Sequence, residues 1–438
     1  MSSVHLLVLV HGMWGNPTHL KELHHEIKQK SAESGIELHT MLAETNQEDS
    51  TYDGIDWGGE RVAQEIYAEI EELKKDGKQV TRFSITGYSL GGLVSRYVVG
   101  ILLQKGFFDN VTPVNFNTLA TPHLGLVRYP SFFSTVSSKL GPKLLSRTGE
   151  QFFASDKWST TGRPLLDIMS DPDFVFYQAL ARFQTIRIYA NATNDRTVPY
   201  VTAAIETEDP FAEHIFNGIE IQVDERYKPI IKSYHFPPES LLEKRKPFIL
   251  TREWFDNRKK RPASLPPFLR FRFPLNILFY VAFPLLLPAV LSLAIIRFSR
   301  ATRSSKARIK TLETDFPKGE TLASMLGRLE HQMESAVVEM MEDPMLGASS
   351  FDNTIAIEDE GKGETTKFRR LEKDEHPVIT PLQYKIAARM NKLPIKKEFA
   401  FLTDFNTHGT IICRDVERFA FREAGRGVIR HWADSLVV

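Results

Sequence analysis

The chain has 438 residues, 42% of them hydrophobic, with 55 Lys and Arg against 55 Asp and Glu. Such a length can bury one large core with additions, or two domains. The zero formal charge gives no electrostatic footing for nucleic acid, and the single cysteine, Cys413, excludes an intramolecular disulfide and a thiolate metal cluster.

At the start of the chain, residues 6–10 form an apolar run with no basic region before it, too short for a secretory signal; they read as a buried parallel strand. The run leads directly into His11-Gly12-Met13-Trp14-Gly15. Periodicity then predicts a helix at 20–34, a strand at 36–42, a helix at 59–75, a strand at 80–86, a helix at 90–103, and strands at 114–119 and 185–190. This alternation predicts an α/β fold, a mostly parallel sheet with helices on both faces, whose ligands bind at the carboxyl ends of the strands. His11, Ser89, Thr121 and Asp195 all follow predicted strands and so fall on that edge.

Between about 210 and 393 the periodicity weakens. A basic and proline-rich run at 258–267 precedes an uncharged apolar segment at 273–296, and a polar stretch at 343–375 has the composition of a disordered region. The globular pattern returns with a strand at 399–402, the loop Asn406-Thr407-His408-Gly409, and an amphipathic helix at about 410–422. The expected organisation is therefore a core at 1–209, an insertion at 210–393 and a return to the core at 394–438.

Gly87-Tyr88-Ser89-Leu90-Gly91 lies between a strand and a helix, the context in which a GxSxG serine is lifted off the sheet as a nucleophile. Gly87 and Gly91 are the small neighbours that such a sharp turn needs. A serine hydroxyl requires a base and an orienting acid, which on α/β-hydrolase scaffolds follow in the order Ser, Asp or Glu, His. Asp195 is the preferred acid, ahead of Asp171 and Asp209, which do not closely follow a strand. His408 is the preferred base because a strand precedes it and a helix is expected after it; His235 is the runner-up. The oxyanion donors are expected to be the backbone N–H groups of Leu90 and Met13, with His11 and Gly12 shaping the loop.

HGMWGN at 11–16, ITGYSLGGLVSRY at 85–97, NTLATPHLG at 117–125, NDRTVPY at 194–200 and THGTII at 407–412 together resemble the eukaryotic serine esterase family of α/β-hydrolase lipases. More narrowly they resemble its fungal lipid-droplet phospholipase branch. The resemblance implies acyl-ester hydrolysis of glycerolipids, glycerophospholipids first among them, by Ser89, Asp195 and His408. It implies no cofactor and no metal, and a location on lipid droplets or the cytosolic face of the endoplasmic reticulum. A protein deacylase or acyltransferase with the same triad, and a non-catalytic membrane-recruiting scaffold, are the other readings of these residues.

The apolar segment is long enough to cross a bilayer, which takes about 20 helical residues. A single crossing would separate His408 from Ser89, and Pro284 and Pro288 stand at its centre with basic residues on both flanks. A hairpin anchor over 268–298 in one phospholipid monolayer is the expectation; a buried core segment, and a true span with a different triad, are the alternatives. Residues 123–163, with scattered apolar side chains, read equally as a lid or an ordinary cap.

Overall fold

The computed structural model describes residues 1–31, 37–215, 217–236, 252, 275–315, 321–323, 326 and 376–438. In chain order these form β1 (Ser2–Val10), α1 (Lys21–Ser31), β2 (Glu37–Leu42), α2 (Ile55–Lys75), β3 (Lys78–Tyr88), α3 (Leu90–Gln104) and β4 (Thr112–Leu119). Then come α4 (Phe132–Leu144), α5 (Ser146–Phe152), α6 (Leu165–Ser170), α7 (Val175–Ala181), β5 (Thr185–Asn191) and α8 (Tyr200–Ala204). A short antiparallel pair follows, β6 (Glu220–Val223) and β7 (Ile231–His235). The chain closes with α9 (Leu275–Asp315), α10 (Pro381–Met390), β8 (Ile395–Ala400) and α11 (Arg426–Ser435).

Six strands make one parallel sheet in the order β2-β1-β3-β4-β5-β8. Its burial explains the unbroken apolar run of β1, because both faces are covered. Leu6, Val8 and Val10 point into a core shared with α2, α3 and α7, while Leu7 and Leu9 point into a second core with Leu20, Leu23 and Ile27 of the α1 side and Val428, Ile429 and Trp432 of α11. The period-two alternation of a strand thus feeds two helical layers at once.

Three expectations change. The strand at 399–402 is β8, four residues earlier; its sequence IKKEFA carries three charges because it is an edge strand, only partly buried. The expected helix at 410–422 is absent: short 3-10 turns at Thr410–Ile412 and Ala420–Gly425 flank Cys413 and Asp415, both at positive φ, which no helix accommodates, and the helix begins at Arg426. The apolar segment forms neither a hairpin nor a core element. Residues 275–315 are one continuous helix through Pro284 and Pro288, and its apolar half is exposed. The two prolines stand one turn apart, so the hydrogen bonds they remove lie on the same face and the opposite face keeps its ladder. Residues 32–36, 258–267, 273–274 and 343–375, on which other expectations fall, lie outside the described residues.

The second half of α9 docks on the body that carries the parallel sheet. Ala301, Thr302 and Ser305 are buried, Thr302 Oγ1 donates to Leu144 O at 2.7 Å, and Ser305 Oγ lies 3.1 Å from Ser146 Oγ. Arg308 grips both oxygens of the fully buried Asp53, at 3.1 and 2.9 Å, beside Arg61 at 2.8 Å. Arg308→Ala leaves Asp53 with Arg61 alone and is expected to destabilise the fold by about 1–3 kcal/mol, read from the denaturant midpoint.

Candidate active site

The carboxyl ends of β1, β3, β5 and β8 lead into the loops that carry His11, Ser89, Asp195 and His408. Ser89 has φ 54° and ψ −125°, a strained conformation for a residue with a side chain. The turn is possible because its flanks are bare. A Cβ on Gly87 would meet Gly92 Cα at 2.4 Å, and one on Gly91 would meet Val10 O at 2.2 Å.

His408 Nε2 lies 3.0 Å from Ser89 Oγ, and His408 Nδ1 lies 3.0 Å from Asp195 Oδ2. The network assigns the tautomer: Nδ1–H donates to the carboxylate, leaving Nε2 to accept the serine hydroxyl. All three side chains are buried. Asp195 is held by four donors in total, since Oδ1 also accepts from Thr197 N at 3.0 Å and Val198 N at 2.8 Å, and Oδ2 from Asn191 Nδ2 at 2.8 Å. An acceptor so fully engaged can hold the imidazole in one orientation.

The other candidates are occupied elsewhere. Asp171 is ion-paired with Arg163 and Arg389, and His235 with Glu220. His123 is fully buried against Thr118, with burial holding its pKa well below the usual imidazole range. His11 is buried too, which lowers its pKa, and its Nδ1 sits 3.0 Å from Gly12 O. That contact ties its ring to its own loop. Gly15 N also bonds Gly12 O at 3.1 Å, curling residues 12–15 into a tight turn with Trp14 at φ 54°.

Several supporting residues carry no recognisable motif in the sequence. Asn191, the last residue of β5, braces Asp195, and Tyr88 donates its hydroxyl to His408 O at 2.9 Å. Thr407 ties the histidine loop to the acid loop through Thr193 O and Asn194 O. Only the strand-end position of Asn191 and the elbow position of Tyr88 hinted at such roles. No group of three or more His, Cys, Asp or Glu side chains suited to a metal ion occurs among the described residues.

Residues 1–207 match the family described as "Putative serine esterase". The "Putative lipase C4A8.10" of Schizosaccharomyces pombe is 34% identical over 207 residues, 46% of this chain and 26% of that protein. The "Putative lipase ROG1" of Saccharomyces cerevisiae is 29% identical over 204 residues, 46% of this chain and 28% of that protein. The matches thus span little more than a quarter of those relatives. Among solved structures, the phospholipase PlaB of Legionella pneumophila overlays with a TM-score of 0.28 at 16% identity, covering 45% of this chain and 41% of PlaB; that score is too low for the sites to be compared.

Beside the acid lies a cavity of ≈ 170 Å³ whose lining includes Tyr129, Asn191, Asp195, Asp209 and His214. Burial pushes the Asp209 carboxyl up to about 7 from an ordinary 3.8, against the pull of the Phe211 and Ala212 N–H groups. Between those two pH values the folded protein keeps a proton that the unfolded chain has released. Asp209 therefore favours folding at acid pH, and its contribution weakens as pH rises through that window. Asp209→Asn, which cannot ionise, is expected to melt about 2–4 °C above the wild type at pH 8 and to lose that advantage toward pH 4.

Proposed function

From the match of its first 207 residues to that serine esterase family, we propose that the chain is a lipase-type acyl hydrolase that cleaves fatty-acyl esters of glycerophospholipids at a lipid surface. The observation that carries this reading is the unbroken chain from Ser89 Oγ through His408 to Asp195, with both contacts at 3.0 Å. Ser89 Oγ attacks the ester carbonyl carbon while its proton passes to His408 Nε2. The Leu90 and Met13 N–H groups stabilise the oxyanion, a contribution of several kcal/mol to the barrier in such sites. Collapse of the tetrahedral intermediate expels the lyso-lipid alcohol, which takes the proton from His408. Water, deprotonated by the same nitrogen, then releases the fatty acid and restores Ser89.

The lipid surface enters through α9. Val281, Leu285, Val290, Leu291 and Leu293 are exposed, and Arg297, Arg300 and Arg303 follow them on the enzyme side. An apolar stretch of 22 residues, 275–296, measures about 33 Å as helix. A full crossing would demand a second crossing within 236–274, because β7 sits with the enzyme body. We therefore read α9 as an anchor lying steeply tilted in one leaflet, because upright it would exceed the roughly 15 Å of half a bilayer core, with its basic residues among anionic headgroups. Lipid droplets and the cytosolic face of the endoplasmic reticulum both offer such a surface.

Ser89→Ala is expected to lower phospholipid hydrolysis by on the order of 10⁴-fold or more and to abolish fluorophosphonate labelling. Wild-type turnover by the variant would refute the mechanism. A screen of phospholipid, triacylglycerol, acyl-protein and acceptor-alcohol substrates separates the phospholipase from a deacylase or an acyltransferase. Combined Val281→Ser, Leu285→Ser and Leu293→Ser is expected to shift the protein from the pellet to the supernatant when sedimented with anionic vesicles, while soluble-ester turnover is unchanged.

A further inference from the structure

The helix that carries the apolar stretch also touches the active-site loop. Phe298 stands two residues beyond the apolar run, and its ring stacks on Trp14 with centroids 6.1 Å apart and an interplanar angle of 16°. Trp14 follows Met13 directly in the loop curled at residues 12–15. Phe298 shares a helical stripe with Ala301, Thr302, Ser305 and Arg308, all at spacings of three or four, and this stripe faces the enzyme.

Trp14 needs this support. Its φ of 54° is unfavourable for a residue with a bulky side chain, so the surroundings must over-determine it. Three contacts do so. Its backbone N donates to Thr51 Oγ1 at 3.2 Å, its indole Nε1 donates to Tyr52 OH at 2.9 Å, and its ring face meets Phe298. Thr51 and Tyr52 belong to the short turn Glu48–Tyr52, and α9 grips that turn as well, through Arg308 to Asp49 O at 2.7 Å and to Asp53. The helix thus holds Trp14 by two routes, directly through a ring and indirectly through the turn beneath it. Without the ring, half-exposed Trp14 loses the partner covering its face, and relaxation of its φ would drag the preceding peptides with it.

We propose that Phe298 is a positioning residue for the oxyanion loop: by stacking on Trp14 it holds the turn that presents the Met13 N–H, so that the lipid anchor and the oxyanion site move as one unit. The inference rests on Ser89 hydrolysing esters as proposed above. A donor displaced rather than deleted weakens transition-state binding more than ground-state binding, so its mark is a fall in kcat at constant KM. Loss of an entire donor costs about 10²–10³-fold, and loss of one aromatic contact that only positions it should cost a small part of that.

The test uses the full chain in detergent micelles with a water-soluble butyrate ester, with active sites counted by fluorophosphonate titration. Phe298→Ala and Phe298→Leu are expected to lower kcat per titrated site by about three- to tenfold with KM within about twofold. Binding of a trifluoromethyl ketone transition-state analogue should weaken by the same factor, and Phe298→Tyr should restore both values. If Phe298→Ala fails to fold, Phe298→Leu, which keeps the apolar bulk without the ring, carries the comparison. Unchanged kcat per site, a fall in kcat without weaker analogue binding, or a Tyr variant as impaired as the Leu variant would each overturn the inference while leaving the hydrolase reading intact. A wild type inert to both ester and fluorophosphonate overturns the two together.

Discussion

One hydrogen bond sets the terms for this molecule: His408 Nε2 must come within 3.0 Å of Ser89 Oγ across a sequence separation of 319 residues. The parallel sheet meets that demand by making β8 its last strand, next to β5, so that the acid loop and the histidine loop leave neighbouring strand ends. Thr407 then fastens one loop to the other, and Tyr88, adjacent to the nucleophile, fastens the histidine's own carbonyl. Position is thus set by backbone register and finished by a few side-chain bonds, which suits chemistry that tolerates little misplacement. Closing so long a loop is cheaper than it looks, since each doubling of length costs only about 0.6 kcal/mol.

The sequence was most informative where local chemistry and global fold agree. Buried parallel strands such as residues 6–10 are apolar on both faces, and the elbow at Ser89 combines glycines, a strand and a helix in one short stretch. Asp195 and His408 could be singled out as candidates because both follow predicted strands, and strand-end loops are where such a sheet binds its ligands. The edge strand β8 was harder to locate, since two lysines and a glutamate stand together between Ile395 and Phe399. The segment after His408 misled for another reason. Its amphipathic spacing resembles a helix, yet Cys413 and Asp415 adopt positive φ to carry the chain around the histidine loop, a demand of tertiary context that composition does not record. Asn191 and Tyr88 were missed because a brace needs only one polar atom in the right place, and nothing in the residue type announces it.

The apolar helix shows the same limit in another form. Two central prolines suggested a break, but their placement one turn apart confines the damage to one face, and the docked half from Phe298 to Arg308 fixes the helix direction regardless. Helix and hydrolase share a boundary built from Trp14, Tyr52, Phe298 and the Asp53 ion pairs. The exposed apolar helix and the Ser89–His408–Asp195 chain are therefore mounted on one body.

The order of these parts along the chain also gives the site a timetable. A ribosome releases Ser89, Asp195 and the apolar half of α9 well before it reaches His408. Roughly 110 residues of translation lie between that helix and the base, on the order of 5–20 s at about 5–20 residues per second. During that interval the nascent chain already carries its greasy helix but has no base for its serine. The contact between His408 and Ser89 can form only once β8 completes the sheet, long after the apolar helix has left the ribosome.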